Sequence, residues 1–298
     1  MQYRQLGSSD LNVSAISFGC MSLPSDQAVA SRLIHHAHSL GINFYDTADL
    51  YQKGFNEQML GQALKDRRQE VLIASKVGNQ WRADGSGWDW NPRKAYILQA
   101  VEDSLRRLQT DYLDLYQLHG GTIDDPIDEV IEAFELLKER GLIRAYGISS
   151  IRPNVIREYV RHAHIDSIMM QYSLLDRRPE EACFGLLEAH QVSVLVRGAL
   201  AKGLLAGKEA RPYLSHSEEA VQSIQEKVRL LSSNDRSEGQ TAIRFASAPK
   251  AVASIVAGVS KLPQIESNVG AFKSPPLQSE ALSTLKAMLP QHLYEKHR

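Results

Sequence analysis

The stretch LDLYQLHGGTIDDPIDEVIEAFELLKERGLIRAYGI, residues 113–148, decides how the rest of the chain is read. Leu113–Leu118 is a short, largely apolar run of strand length. Asp125-Pro126 then offers an N-cap followed by a proline suited to the first helical turn, and Ile127, Val130, Ile131, Phe134 and Leu137 recur on one helical face. Gly141 supplies a left-handed stop, and Ala145–Ile148 is extended and apolar again. A strand, a helix and a strand in succession form a unit whose two strands run parallel, because the helix carries the chain back to its starting edge.

The same alternation extends in both directions. Candidate strands are Ala15–Phe18, Asn43–Tyr45, Val71–Ser75, Leu113–Leu118, Ala145–Ile148, Ser167–Gln171, Val192–Val196 and Ser254–Ala257, eight in all. Asn91-Pro92 is the expected start of a helix carrying Ile97, Val101, Leu105 and Leu108; Pro179–His190 and Leu262–Phe272 read as further helices. The polar stretch Glu209–Glu238 holds one helical piece, Val221–Leu231. Tyr3–Leu6 and Leu11–Val13 flank a turn at Gly7-Ser8-Ser9-Asp10 and read as an opening hairpin. Eight strand-helix units predict an α/β chain folded as a closed (β/α)8 TIM barrel, with residues 1–298 forming a single domain that begins with a β-hairpin and ends with a helix. The competing open, doubly wound sheet would usually carry a G-x-G-x-x-G turn after its first strand, and Phe18-Gly19-Cys20-Met21 carries none. Gly207-Lys208 fails as a phosphate loop, with Lys202 at the required glycine and Glu209 at the required Ser/Thr.

Composition narrows the function. The 298 residues carry 34 Lys+Arg against 35 Asp+Glu with no block of one sign, which disfavours nucleic acid and anionic membranes as partners. The opening residues lack the apolar core of a signal peptide and no apolar run approaches the ~18 residues of a membrane span, so the cytoplasm is the expected location. Cys20 and Cys183 lie far apart without zinc-ligand spacing and read as reduced thiols. His35, His36, His38, His162 and His164 fall on or beside outer helices and read as surface residues. Nothing in the composition speaks to whether chains associate.

In a barrel of this kind, chemistry sits where strands end and βα-loops begin. There the sequence places Asp46, with Tyr51 five residues on; Lys76 after Ser75; and His119 after Gln117-Leu118. Singly, an Asp in that position is a helix cap, a Tyr packs at the rim, and a Lys or His is solvated. Four such groups on three adjacent strands make a candidate site. An ammonium beside a phenol is expected to pull the phenol from its usual value near ~10 toward neutrality, while the carboxylate keeps the amine charged. The imidazole can orient a reacting oxygen. The set suits a carbonyl whose oxygen gains a proton while its carbon takes hydride, for which a nicotinamide is the natural donor.

Several motifs coincide with a known family. Tyr3-Arg4-Gln5-Leu6-Gly7, Asp46-Thr47-Ala48-Asp49-Leu50-Tyr51, Glu57, Leu60-Gly61, Ser75-Lys76 and the run Ser104–Tyr116 leading to His119 resemble the aldo-keto reductase superfamily, particularly its bacterial members and those related to potassium-channel β subunits, over nearly the whole chain. The resemblance implies that Tyr51 is the general acid, that Lys76 and Asp46 tune it and that His119 positions the carbonyl. It implies a nicotinamide dinucleotide bound without a Rossmann turn, NADPH ahead of NADH. The carboxamide would be held by Ser149 and Gln171, with Ser150 in place of the family's asparagine and Gln52 in place of the glycine after the tyrosine. The ring would lie against Arg197, where most relatives carry an aromatic. Gly19 and Met21 would complete that end. The segment Gly198, Leu200, Lys202, Gly203 and Leu204, with Ala199 replacing a proline, would follow the pyrophosphate, with Lys208 and Arg211 placed to close over it. Gly258, Ser260 and Lys261 would receive the adenosine end, its 2′-phosphate drawing on the helix amides; Gln264 stands where NADPH-selective relatives carry arginine, and Asn268 would contact adenine. Trp81, Trp88 and Trp90, in the loop Asn79–Asn91, are expected to line an apolar substrate pocket with Met21 and Leu23, suited to aldehydes, ketones or quinones. Three readings follow: a carbonyl reductase; a module that holds NADPH to sense redox state and regulate a partner; and, last, a Schiff-base aldolase on Lys76.

Overall fold

Residues 1–288 and 293–298 are described by the computed structural model. The chain opens with strands β1 (Tyr3–Gln5) and β2 (Asn12–Ser14), paired antiparallel as the hairpin the sequence predicts. It continues through β3 (Ile16–Gly19), α1 (Gln27–Ser39), β4 (Phe44–Asp46), α2 (Phe55–Leu64), β5 (Leu72–Val77), β6 (Asn79–Trp81), β7 (Trp88–Trp90), α3 (Lys94–Leu108) and β8 (Leu113–Leu118). Then follow α4 (Ile127–Glu139), β9 (Ile143–Ser149), α5 (Pro153–His162), β10 (Ser167–Gln171), α6 (Pro179–Ala189) and β11 (Ser193–Arg197). The last elements are α7 (Glu218–Leu230), α8 (Glu238–Ala246), β12 (Val252–Gly258), α9 (Leu262–Gly270) and α10 (Ser279–Ala287).

Among the described residues, β3, β4, β5, β8, β9, β10, β11 and β12 pair in parallel and close on themselves, the (β/α)8 barrel. Two apolar layers hold it. Inside, Phe44, Ala74, Leu115, Ala145, Met169, Leu195 and Ala253 pack with Leu6, Leu11 and Val13 of the hairpin, which therefore stoppers one end. Outside, strand faces pack against helix stripes such as Ile97, Val101, Leu105 and Leu108 of α3. Gly7 lets the hairpin seat: its φ is +58°, and a Cβ there would run into the Asp166 carbonyl. With that end stoppered, the loops at the strands' C-terminal ends are left to form a site.

The departures from the sequence reading are local. The expected loop Asn79–Asn91 contains the antiparallel pair β6–β7, and α8 lies where no helix was read. Asn91 and Asp125 do not cap their helices. The Asn91 side chain accepts from the Arg93 amide, leaving α3 to start at Lys94. Asp125 holds the amide and hydroxyl of Thr122.

Candidate active site

Three neighbouring strands deliver the reactive groups. Register places Asp46 of β4 beside Ala74 of β5, and Lys76 of β5 beside Gln117 of β8; the His119 amide continues β8 by bonding to the Val77 carbonyl. The Lys76 side chain is fully buried. Its ammonium donates to Asp46 Oδ2 at 2.7 Å, to the Thr47 carbonyl at 2.6 Å and to Tyr51 Oη at 3.5 Å, so all three N–H bonds have acceptors. The His119 ring stands edge-on to the Tyr51 ring, centroids 5.9 Å apart. Tyr51 opens a tight turn in which Gln52 and Lys53 take φ values of 51° and 56°. Glycine would suit Gln52's conformation better; here its side chain is tied to Ser25 instead. Behind the site, fully buried Glu57 accepts from Ser75 and from Arg107, fixing β5 against α2 and α3.

Burial sets the protonation states. It disfavours the charged lysine, but the charge and hydrogen bond of Asp46, together with Tyr51, more than compensate and hold Lys76 above its ordinary value. Asp46 is pushed up by burial and pulled back by Lys76. For Tyr51, burial wins: the phenol lies above its usual range despite the opposing pull of Lys76, with Asp46 adding to the rise. The expectation of a phenol drawn toward neutrality is thus corrected. Asp46 sits closer to the ammonium than Tyr51 does, and its negative charge offsets part of the pull of Lys76 on the phenol. A protonated phenol is nevertheless the form that can donate. His119 is pushed down to about 3 by burial, then by Lys76 and Arg197, and is a neutral imidazole at neutral pH.

A groove of about 560 Å³ opens beside this cluster, at the ends of β11 and β12. Gly198, Leu200, Lys202 and Gly203 line one wall; Gly258, Ser260, Gln264 and Asn268 line the other. Sequence reasoning missed Ser22, Gly239, Ile243 and Ser267, which line it too. Gly239 and Ile243 belong to α8, and the signal for that helix was present as a capping box between Ser237 and Gln240. Leu204 is fully buried, its carbonyl held by Gln225, so it faces the core and not the groove. Lys261 is exposed at the start of α9. Gly19 pairs with Gly258 across the barrel seam, and Met21 is 66% exposed at the rim. Ser149 ends β9 half-buried, while the Ser150 hydroxyl accepts from the Arg152 amide.

Many of these groups bond to one another. Arg197 Nη1 donates to Gln171 Oε1 at 2.9 Å. Lys208 folds across Gly203, whose φ is +94°, and donates to the Lys202 carbonyl. Gln264 Oε1 accepts from the amides of Ser260, at 2.8 Å, and Lys261, at 3.1 Å. The helix-end amides expected to stand open for a phosphate are therefore engaged by the chain's own glutamine.

The tryptophans do not share one wall. Trp90 is wedged against Gly78 and Gly120 and donates to Asp125, bracing the loops on either side of His119. Trp88 is 47% exposed on the β6–β7 hairpin. Trp81 faces a side cavity of about 540 Å³ shared with Asp49, Tyr96 and Arg107, and Leu23 is buried. His36 and His38 pair with Glu266 and Glu70 on the outer helices, and His162 pairs with Glu158.

Comparison with known proteins identifies the family and agrees with the barrel fold. The Aldo/keto reductase family model matches residues 15–290. The oxidoreductase YqkF of Bacillus subtilis is 48% identical, with all of both chains covered. An Escherichia coli protein named NADH-specific methylglyoxal reductase is 33% identical over 70% of each chain. The solved holo form of aldo-keto reductase AKR11C1 from Bacillus halodurans superposes with a TM-score of 0.95 at 52% identity, covering 100% of this chain and 99% of that one. Among the described residues, no helix is long and apolar enough to cross a membrane.

Proposed function

The chain belongs to the aldo/keto reductase family, and from that premise we propose that it reduces aldehydes and ketones to alcohols with NADPH, Tyr51 serving as general acid. The observation that carries this reading is the contact of the Tyr51 hydroxyl with a charged, fully buried Lys76, beside a neutral His119.

The groove fits a nicotinamide dinucleotide in its chemistry. Its lining includes Lys202 and Lys208 and no carboxylate, as an anionic ligand requires. Bound there, the dinucleotide supplies hydride. The chain's own residues do the rest. His119, lacking charge, hydrogen-bonds the carbonyl oxygen without competing for the proton. Tyr51 passes its proton to that oxygen as the carbonyl carbon accepts hydride, and Lys76 stabilises the phenolate left behind. Asp46 keeps Lys76 charged throughout, and solvent returns the proton to Tyr51. The cluster's burial holds these dipoles in place before the substrate arrives.

Lys261 and the Ser260 hydroxyl favour the additional phosphate of NADPH, whereas the Gln264 cap must open before the Ser260 and Lys261 amides can serve it. The preference for NADPH over NADH is accordingly modest, and the relative named for NADH specificity marks the opposite extreme. The test is steady-state turnover of 4-nitrobenzaldehyde and methylglyoxal with each dinucleotide. Turnover with both and a higher kcat/KM with NADPH is expected. Tight NADPH binding without turnover across a broad carbonyl panel would replace this reading with that of a redox-sensing module.

A further inference from the structure

The turn after β10 determines which end of one side-chain amide is turned toward Arg197, beside the groove-wall residue Gly198. Gln171 closes β10, and Ser173 and Asp176 exchange two backbone hydrogen bonds just beyond it. This tight turn brings the Asp176 carboxylate, 1% exposed, back toward Gln171. Asp176 accepts from Gln171 Nε2 at 2.9 Å and from Arg178 Nε and Nη2 at 2.8 and 2.7 Å. The Tyr213 hydroxyl oxygen accepts from the same Gln171 nitrogen at 3.3 Å. Both hydrogens on Nε2 are therefore engaged. Oε1 points the other way, where Arg197 reaches it.

A carboxylate only accepts hydrogen bonds. Turning the Gln171 amide over would aim its oxygen at Asp176, leaving two acceptors face to face in a buried place. Resting on the cofactor reading above, we propose that Asp176 is a positioning residue that locks Gln171 as an acceptor toward the groove, so that the site selects a ligand presenting an N–H donor there. A nicotinamide carboxamide then binds with its NH2 toward Gln171 and its carbonyl toward the Ser149 hydroxyl. Ser149 lies on the neighbouring strand, paired with Met169, two residues before Gln171. Arg197 gives up Oε1 as the carboxamide arrives.

The experiment compares dissociation constants of NADPH and its 3-acetylpyridine counterpart, which keeps the carbonyl and replaces NH2 by methyl. The parent should bind the acetyl compound about tenfold more weakly than NADPH, the loss of one well-placed hydrogen bond. In Asp176→Asn the amide at 176 can donate as well as accept, Gln171 is free to turn, and the gap should shrink to about threefold or less. Asp176→Glu, which restores an acceptor-only group, should restore the gap. Parent and Asp176→Asn showing equal gaps, with both folded and both binding NADPH, would overturn the lock alone; a parent that binds no NADPH would overturn the cofactor reading with it. One readout needs no variant: in the NADPH-bound parent, the Gln171 side-chain amide protons should show NMR cross-peaks to the Tyr213 ring, and cross-peaks to the nicotinamide ring instead would overturn the lock.

Discussion

The cluster at the ends of β4, β5 and β8 and the groove at the ends of β11 and β12 are built on opposite principles. In the cluster, Lys76 is fully buried and each of its N–H bonds has a partner within the chain. In and beside the groove, more exposed polar groups satisfy one another: Arg197 with Gln171, Lys208 with the Lys202 carbonyl, Gln264 with the amides of Ser260 and Lys261. The difference teaches where rigidity is useful. Proton transfer depends on sub-ångström placement, and burial secures it. A ligand that must enter and leave is better served by bonds exchanged at little net cost.

The contrast can be broken at its rigid end first. Lys76→Met removes the charge that stabilises the Tyr51 phenolate, and kcat should fall by about a thousandfold or more while the NADPH dissociation constant changes little. Pre-steady-state kinetics with fluorescence titration separates the two quantities. A loss confined to cofactor affinity would mean that Lys76 belongs to the groove and not to the cluster.

At the exchangeable end the expected effects are smaller. Gln264→Arg removes the acceptor that engages two amides and adds a cation, so the ratio of NADPH to NADH kcat/KM should rise by about tenfold. An unchanged ratio would place the 2′-phosphate elsewhere. The smallest effect concerns Asp49, which lies between Asp46 and Tyr51 in sequence and lines the side cavity with Trp81. Its carboxylate is buried beside Glu57 and Arg107, with no side chain hydrogen-bonded to it among the described residues. Burial, then Glu57, pushes its carboxyl up to about 8, with Arg107, the Leu50 amide and Lys76 opposing. A folded-state value raised above the unfolded ~4 means that its contribution is fully present below about pH 4 and is lost as pH rises toward 8. Asp49→Asn does not titrate, so its melting temperature should gain on the parent's between pH 5 and pH 8 by a few degrees and hold that gain above. A difference independent of pH would contradict the assigned burial effect.

Much of this was legible in the sequence because it rests on period and punctuation. The strands around Leu113–Leu118 and Ser167–Gln171 are apolar runs between amphipathic helices, and the loops after them had to carry the reactive groups. What escaped has physical reasons. The helix Glu238–Ala246 has only nine residues and begins in polar sequence, so its capping box was the one available signal. Trp81 and Trp88 pair across the β6–β7 hairpin, whereas Trp90 is drawn against Gly78 and Gly120 and donates to Asp125, a tertiary contact that spacing does not reveal. The Gln264 cap and the Asp176 lock are invisible to periodicity, because each depends on where a side chain turns within a few residues of its own backbone. The phenol's rise above its usual range escaped too: proximity of Lys76 to Tyr51 could be read from spacing, whereas the dryness of the site and the competing pull of Asp46 could not.

The most direct trial of the account replaces Tyr51 by phenylalanine, removing one oxygen and leaving the ring against His119. Single-turnover oxidation of bound NADPH by 4-nitrobenzaldehyde should slow by at least about a thousandfold while the NADPH dissociation constant stays within about twofold of the parent's. Hydride transfer by Tyr51→Phe at close to the parent rate would show that the proton comes from another group.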